Sequence, residues 1–548
     1  MVLENLVNII GKGKLPDFIA NPKGSRQFQQ FIKLGTKEHR NSAVDALAKQ
    51  VPDLAMRNIY ALLTLEKIIT YGLKTDETFL TEKLLKPIMT DRKTIEKLLF
   101  HRLGCKFLNK LYLHPAIKPV LKKQMIQIIS VPRAIEVLGE SKEKLRQYYV
   151  ETTKRCVDKE LLGFEIVQKL LKQAVTDFAD DQAFNEEILG MAADGLAHLL
   201  SSRDGVYVVV KLLGLASAKH KKNLIKELKA KFSDIAKNSV TSVVLLRLLE
   251  CVDDTVLVGK SILSELIGSD YLVGKDLLLD VTGRIPFLYC LEGLEMKSGR
   301  CYNQQDKQLL AACPAPTAMK DKPTRVAEIC SKLVPSVIKI VKSNILEFVQ
   351  SEEGKDVVIA LVRCLSGDLE QQSLVSEIMS CIADIDDFQQ PFVTCINAIM
   401  KESGAEKECW SQMVARCKQP ESLADHCLGL GSFVVMNLIK QESSVSASVR
   451  GAVSAVKARL ANGNKGTEII LQELAKEGPS MPWSETIVTY KVQAKKRVSP
   501  ASAAVPVESS KKQKSQEEPE ESGELFGDDD EDEEMWGIVG DDDEFLDE

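Results

Sequence analysis

A short signature returns ten times along the chain. It consists of a small residue, two variable positions, two or three apolar positions, a polar residue that is often lysine, and further apolar residues. It reads KGSRQFQQFI at Gly24, YALLTLEKII at Ala61, LGCKFLNKLY at Gly104, LGFEIVQKLL at Gly163 and DGVYVVVKLL at Gly205. It continues as VTSVVLLRLL at Thr241, TGRIPFLYCL at Gly283, EGKDVVIALV at Gly354, LGSFVVMNLI at Gly431 and KGTEIILQEL at Gly466. The intervals are 37, 43, 59, 42, 36, 42, 71, 77 and 35 residues. The interval of 77 fits two units, with PFVTCINAIM near Pro391 as a weak middle copy. The interval of 71 contains a proline-rich stretch, CPAPTAMKDKPT, that reads as an insertion. Self-similarity at this period is the mark of a repeat array.

Within each copy the apolar residues follow helical spacing, so each unit has one face to bury and only its neighbours to bury it against. The expected fold is all-α: a solenoid of armadillo-like helical repeats, with a small residue letting neighbouring helices approach closely. GVYVVVKLL is the strongest strand signal, and the array context overrides it. The apolar fraction of 44% with only 5% aromatics suits stacked helices. Thirteen cysteines without a Cys-x-x-Cys pair, mostly in apolar stretches such as LLRLLECV and LVRCL, read as free buried thiols of a reducing compartment. MVLENLVNIIGKGK lacks the basic start of a secretory signal, and no apolar run reaches the length of a membrane span.

The net charge of -6 conceals an asymmetry. Residues 517–548 carry 18 acids and no Lys or Arg, which leaves +12 on residues 1–516. Residues 1–150 hold 26 Lys/Arg against 14 Asp/Glu, a net +12, whereas 151–300 come to -2 and 301–516 to +2. A basic end on a solenoid is an electrostatic footprint for a polyanion. The phosphate-contact candidates in that end are Lys33, Lys37, Arg40, Lys67, Arg92, Lys93, Lys97, Arg102, Lys110, Lys122 and Lys123, with Arg26 and Lys106 beside them. The run KHKKNLIKELKAKF from Lys219 is a second basic cluster.

The repeated segments resemble Pumilio-type (PUF) repeats, in which the helix after the small residue forms a concave surface and reads one base through two or three side chains. Carried over by position, the resemblance offers Ser25 and Gln29 for a base edge with Arg26 for stacking, then Cys105, Lys106 and Asn109 in the third copy and Tyr207 in the fifth. Later copies place aliphatic residues at the edge-reading positions, so no modular base code can be written with them. DGVYVVVKLLGLASAKHKKNLIKELKAKF, LLRLLECVDDTVLVGKSILSELI and the segment from about Val326 to KGTEIILQELAKEG are similar to the nucleolar Puf-A branch and its C-terminal CPL region. The resemblance covers most of residues 15–480. It implies a bent, L-shaped array, nucleic-acid binding with little sequence preference, and a role in large-ribosomal-subunit assembly in the nucleus and nucleolus. The implied partners are RNA, with precursor rRNA ahead of mRNA, and ribosomal or assembly proteins on the near-neutral C-terminal arm and the acidic tail. A monomer without cofactor, metal or membrane association is expected.

The expected domains are a repeat arm over 1–300, an insertion over 301–325, a CPL-type arm over 326–478 and a disordered tail over 479–548. In the tail, Lys495, Lys496 and Arg497, then Lys511 and Lys512, flank a spacer as in a bipartite nuclear import signal. The final GDDDEDEEMWGIVGDDDEFLDE either solubilises or mimics nucleic acid. Under the mimic reading, deletion of Glu517–Glu548 raises affinity for RNA at low salt in a gel shift; an unchanged affinity eliminates it. Six histidines and no phosphate-binding glycine loop argue against an enzyme. Two other readings are a cytoplasmic, sequence-specific regulator of mRNA translation or stability, and an armadillo/HEAT-like protein-binding scaffold.

Overall fold

The computed structural model describes residues 9–10, 13–130, 142–293, 303–313, 315–385, 388–417, 420–440, 445–460 and 463–476. The tail over 479–548, with the import candidates Lys495, Lys496, Arg497, Lys511 and Lys512, lies outside the described residues. The described residues fall within one compact unit. Among the described residues every regular element is helical, giving an all-α solenoid of helical repeats.

Each signature copy forms a helix. In chain order these are α1 (Pro22–Leu34), α2 (Ile59–Leu80), α3 (Arg102–Leu113), α4 (Glu165–Asp177), α5 (Arg203–Leu213), α6 (Ser242–Cys251), α7 (Ile285–Glu292), α8 (Glu352–Cys364), α9 (Gln390–Ser403), α10 (Ser432–Lys440) and α11 (Lys465–Ala475). α1 packs on α2, α2 on α3, and so on without a break to α11. The weak copy near Pro391 is therefore a full member of the row, as α9. The long intervals hide no further row helix, because α3 touches α4 and α7 touches α8 directly. The 71-residue interval instead holds three helices that lie against the row, Gln304–Ala312 beside α5, Lys322–Ser343 against α6, α7 and α8, and Ile345–Gln350 against α8 and α9.

Side-chain caps set several of the helix starts. Asn21 caps α1 by accepting from the Lys23 and Gly24 amides, with Pro22 at the first helical position. Ser202 caps α5 by accepting from the Gly205 amide at 3.2 Å. The β-branched run of α5 is helical because Val206, Val208, Val209, Val210, Leu212 and Leu213 are all fully buried between neighbouring helices. Each such burial contributes about 1.5–3 kcal/mol, far more than the small helix propensity deficit of valine.

The small residue acts differently from expectation. It opens a corner inside its own repeat, where the carbonyl six residues earlier docks on the row helix. A Cβ at Gly24 would lie 2.1 Å from the Phe18 carbonyl oxygen, and one at Gly205 1.9 Å from that of Leu199; Gly104 and Gly354 meet Leu98 and Phe348 in the same way. Gly163 has nothing within 4 Å of its Cβ position, and at Gly466 the nearest atom is Ser432 Oγ of α10, at 2.4 Å, so there the small residue does let two row helices approach closely.

Candidate nucleic-acid interface

Counting from the small residue as zero, positions +2, +6 and +9 lie on one side of each row helix, because they are four and three residues apart. In α1 they are Arg26, Gln30 and Lys33, in α2 Leu63, Lys67 and Thr70, and in α3 Lys106, Lys110 and Leu113. In α4 they are Glu165, Lys169 and Lys172, and in α5 Tyr207 and Lys211 precede Gly214. Lysine thus occupies +6 in four successive copies, at Lys67, Lys110, Lys169 and Lys211. Over α1–α5 this face carries eight cations, Arg26, Lys33, Lys67, Lys106, Lys110, Lys169, Lys172 and Lys211, and all are exposed or half-buried.

Three carboxylates stand among them. Glu66, buried, receives Lys110 Nζ at 2.8 Å; burial pushes its carboxyl up while Lys110 pulls it down, and burial wins. Burial also raises Asp204, but hydrogen bonds and charge from Lys172 and Lys169 outweigh it and hold Asp204 below its ordinary value. Glu165 is pushed up by burial and by Asp204. Burial, followed by the charge of Lys110, lowers Lys106. Arg26, Lys33, Lys67 and Lys106 make no ion pair among the described residues and keep their charge for a ligand. The half-buried Tyr207 ring, with Lys172 Nζ 5.2 Å from its centroid, adds an aromatic surface at α5.

The positions expected to read base edges are occupied by the row itself. Ser25 is buried, and its hydroxyl is shared with the Tyr60 carbonyl and Thr64 of α2, each at 2.9 Å. Gln29 donates to Ser25 at 2.9 Å. Cys105 is fully buried, where burial holds its thiol well above the ordinary value. Asn109 accepts from the Ile166 amide at 3.0 Å, fastening α3 to α4. Gln168 donates to the Leu162 and His198 carbonyls and accepts from Ser202, fastening α4 to α5. Ser25, Asn109 and Gln168 are therefore staples between repeats, while Gln29 bonds back to Ser25 within α1. Of the base-facing candidates, only Arg26, Lys106 and Tyr207 reach the open face.

Several phosphate candidates are also engaged elsewhere. Arg40 is buried and donates to the Ile32 and Lys33 carbonyls at 2.8 and 2.9 Å, so it braces α1. Arg92 donates to the Ile128 carbonyl at 2.9 Å. Lys37 pairs with Asp76 at 3.0 Å and Lys97 pairs with Asp53. Arg102 is exposed, 3.9 Å from Glu160. Lys93, Lys122 and Lys123 belong to helices outside the row, Arg92–Leu99 and Pro119–Ser130. In the second basic cluster Lys221 is buried, donating to the Cys251 carbonyl and to Thr317. Lys169, Lys172 and Lys211 lie in a region without net positive charge, so regional charge does not point to them; the lysine at a fixed place in the signature does.

The open face ends at α6. All ten residues of Ser242–Cys251 are buried, including Arg247 at +6 and Glu250 at +9. The insertion covers them. Lys322 binds Glu250 at 2.8 Å, Arg325 donates to the Glu250 carbonyl and binds Asp253 at 2.9 Å, and Tyr289 of α7 donates to Glu250 at 3.1 Å. Thr317 donates to the Gly214 and Ala216 carbonyls beyond α5. Further along, Arg363 of α8 is held between Glu292 and Glu402 at 3.0 and 2.9 Å, so the later row offers no comparable cationic stripe.

Comparison with known proteins agrees with this architecture. The family model described as the CPL (NUC119) domain matches residues 279–446. The chain is 24% identical over 356 residues to Pumilio homology domain family member 6 of Saccharomyces cerevisiae, covering 62% of this chain and 52% of that protein. It is 25% identical over 296 residues to Pumilio homolog 24 of Arabidopsis thaliana, covering 51% and 44%. The match thus spans about half the length of these relatives or less. Among solved structures, human Puf-A superposes with a TM-score of 0.73 at 19% identity, covering 86% of this chain and 94% of that one. Human Puf-A in complex with DNA superposes at 0.72 and 20% identity, with the same coverage.

Proposed function

We propose that the chain belongs to the Puf-A branch of the Pumilio family and is an RNA-binding protein that reads charge and shape rather than base sequence, acting in large-ribosomal-subunit assembly and pre-rRNA processing in the nucleolus. One observation carries the binding mode. The cations of α1–α5 stand in register on the open face, while the edge-reading positions are turned into the joints between repeats. Lysines in register are spaced to meet successive phosphates, and Tyr207 and Arg26 offer stacking surfaces that accept any base. The DNA-bound human Puf-A structure, which shares the fold, supports a nucleic acid as the ligand class. The near-neutral row after α6 suits protein contacts, where ribosomal or assembly proteins would bind.

The test is a binding titration against salt with two RNAs of unrelated sequence. With about five to eight phosphates neutralised, the log of affinity falls against log salt with a slope of about -4 to -6 for a single strand. The two RNAs compete within about tenfold of each other, because specific recognition would require discrimination of about 1–3 kcal/mol per base. A flat salt dependence eliminates phosphate binding. A strong preference for one RNA favours the sequence-specific mRNA regulator, and the absence of any RNA footprint on crosslinking in cells favours the scaffold. A fluorescent fusion that stays out of the nucleolus removes the ribosome-assembly role.

A further inference from the structure

Most described cysteines are buried, as at Cys409 and Cys395, where burial pushes the thiols well up and keeps oxidants away. The exceptions sit together. Cys330 lies within the insertion helix Lys322–Ser343 and Cys364 is the last residue of α8, yet their Sγ atoms are 3.5 Å apart. Cys364, in the LVRCL stretch that reads as buried, is exposed, and Cys330 is half-buried. A disulfide requires an Sγ–Sγ distance of about 2.05 Å, so closure asks for an approach of about 1.5 Å. That is within reach of side-chain rotation at a helix end.

The surroundings divide the labour between the two thiols. The hydrogen bond from Cys330 holds Cys364 down, to about 7, against burial and the Glu292 carboxylate, which push it up. The same bond, with burial, pushes Cys330 up. Glu292 is itself tied to Arg363 at 3.0 Å. Cys290 of α7, 3% exposed, is within electrostatic reach of both but bonds to neither.

We propose that Cys330 and Cys364 are a peroxide-responsive thiol pair that closes to a reversible disulfide, clamping the insertion helix to α8. The Cys364 thiolate attacks one oxygen of a peroxide; the S–O bond forms, the O–O bond breaks, and the departing hydroxide takes up a proton to leave as water. The Cys330 sulfur then attacks the sulfenic sulfur of Cys364; the S–S bond forms, the S–O bond breaks, and hydroxide leaves with the Cys330 proton as a second water. The two thiols lose two electrons and the peroxide gains them. Because the clamped helix also holds Arg325 and Lys322 on α6, the oxidised form fixes the cover over α6 to the row on its far side.

The experiment uses the full chain, reduced and then treated with hydrogen peroxide. The intact mass falls by two hydrogen atoms, and non-reducing digestion yields one linked peptide joining residues 330 and 364 that dithiothreitol separates. The melting temperature rises by a few degrees on oxidation, and Cys330→Ser abolishes both the link and the rise while leaving Cys364 open to a sulfenic-acid probe. If Cys330→Ser does not fold, Cys364→Ser serves for loss of the link, and the wild-type peptide map decides by itself. A linked peptide joining other cysteines, or peroxide treatment that leaves residues 330 and 364 unlinked, overturns the proposal.

Discussion

Replacing Gly205 by alanine is expected to destabilise the protein by about 2–3 kcal/mol, whereas the same replacement at Gly163 changes stability by a few tenths. The new methyl at Gly205 would sit 1.9 Å from the Leu199 carbonyl oxygen and 2.7 Å from Gln168 Oε1. Neither neighbour can retreat cheaply. The carbonyl is backbone, and Gln168 is buried and held by the Leu162 and His198 carbonyls and by Ser201 and Ser202. α5 must therefore back away from the corner and loosen its packing on α4. In a repeat array each unit is stabilised only by its neighbours, so a loosened joint weakens the row on both sides. At Gly163 a methyl meets open space. Urea unfolding of the two variants beside the parent makes the comparison, and equal midpoints for both would refute the account of the small residue.

Removing four cations of the open face, Arg26→Ala, Lys33→Ala, Lys67→Ala and Lys106→Ala together, is expected to lower RNA affinity about a hundredfold at low salt and to flatten the salt slope by about 3. These four are chosen because they form no ion pair among the described residues, so their loss leaves no buried acid without its partner. The matched control removes the same charge elsewhere: Lys49→Ala, Lys93→Ala, Lys123→Ala and Lys229→Ala, all exposed residues outside the row helices. The control keeps most of the affinity, because charges away from the strand act only through a field screened within about 10 Å. Equal losses in the two variants would mean that net charge, and not the register of the row, holds the RNA.

The row was legible in the sequence to the extent that its determinants are local. Gly24, Gly104, Gly205 and Gly354 mark corners set within six residues, and Phe28, Phe31 and Ile32 face inward by helical spacing alone. The lysine at a fixed place in the signature is equally local, although net charge is concentrated in the first 150 residues and leaves Lys169, Lys172 and Lys211 in a near-neutral region. What could not be read was the offset between adjacent helices. Whether Ser25, Asn109 or Gln168 points at a ligand or at the next repeat depends on that offset, and in each case the next repeat takes the hydrogen bond. The cover on α6 was hidden for a similar reason, since Arg325 and Glu250 are 75 positions apart and nothing local joins them.

That cover makes the open face a ruler. Five helices stand in the stripe, and the four steps between them, at about 8–10 Å each, span roughly 30–40 Å. A strand lying along the cations from Arg26 to Lys211 reaches the edge of the insertion at α6 and must end there or turn away into solvent. Under the proposed binding mode the fold thereby limits how long a stretch of strand it can grip, favouring one segment length over another while leaving every base unread.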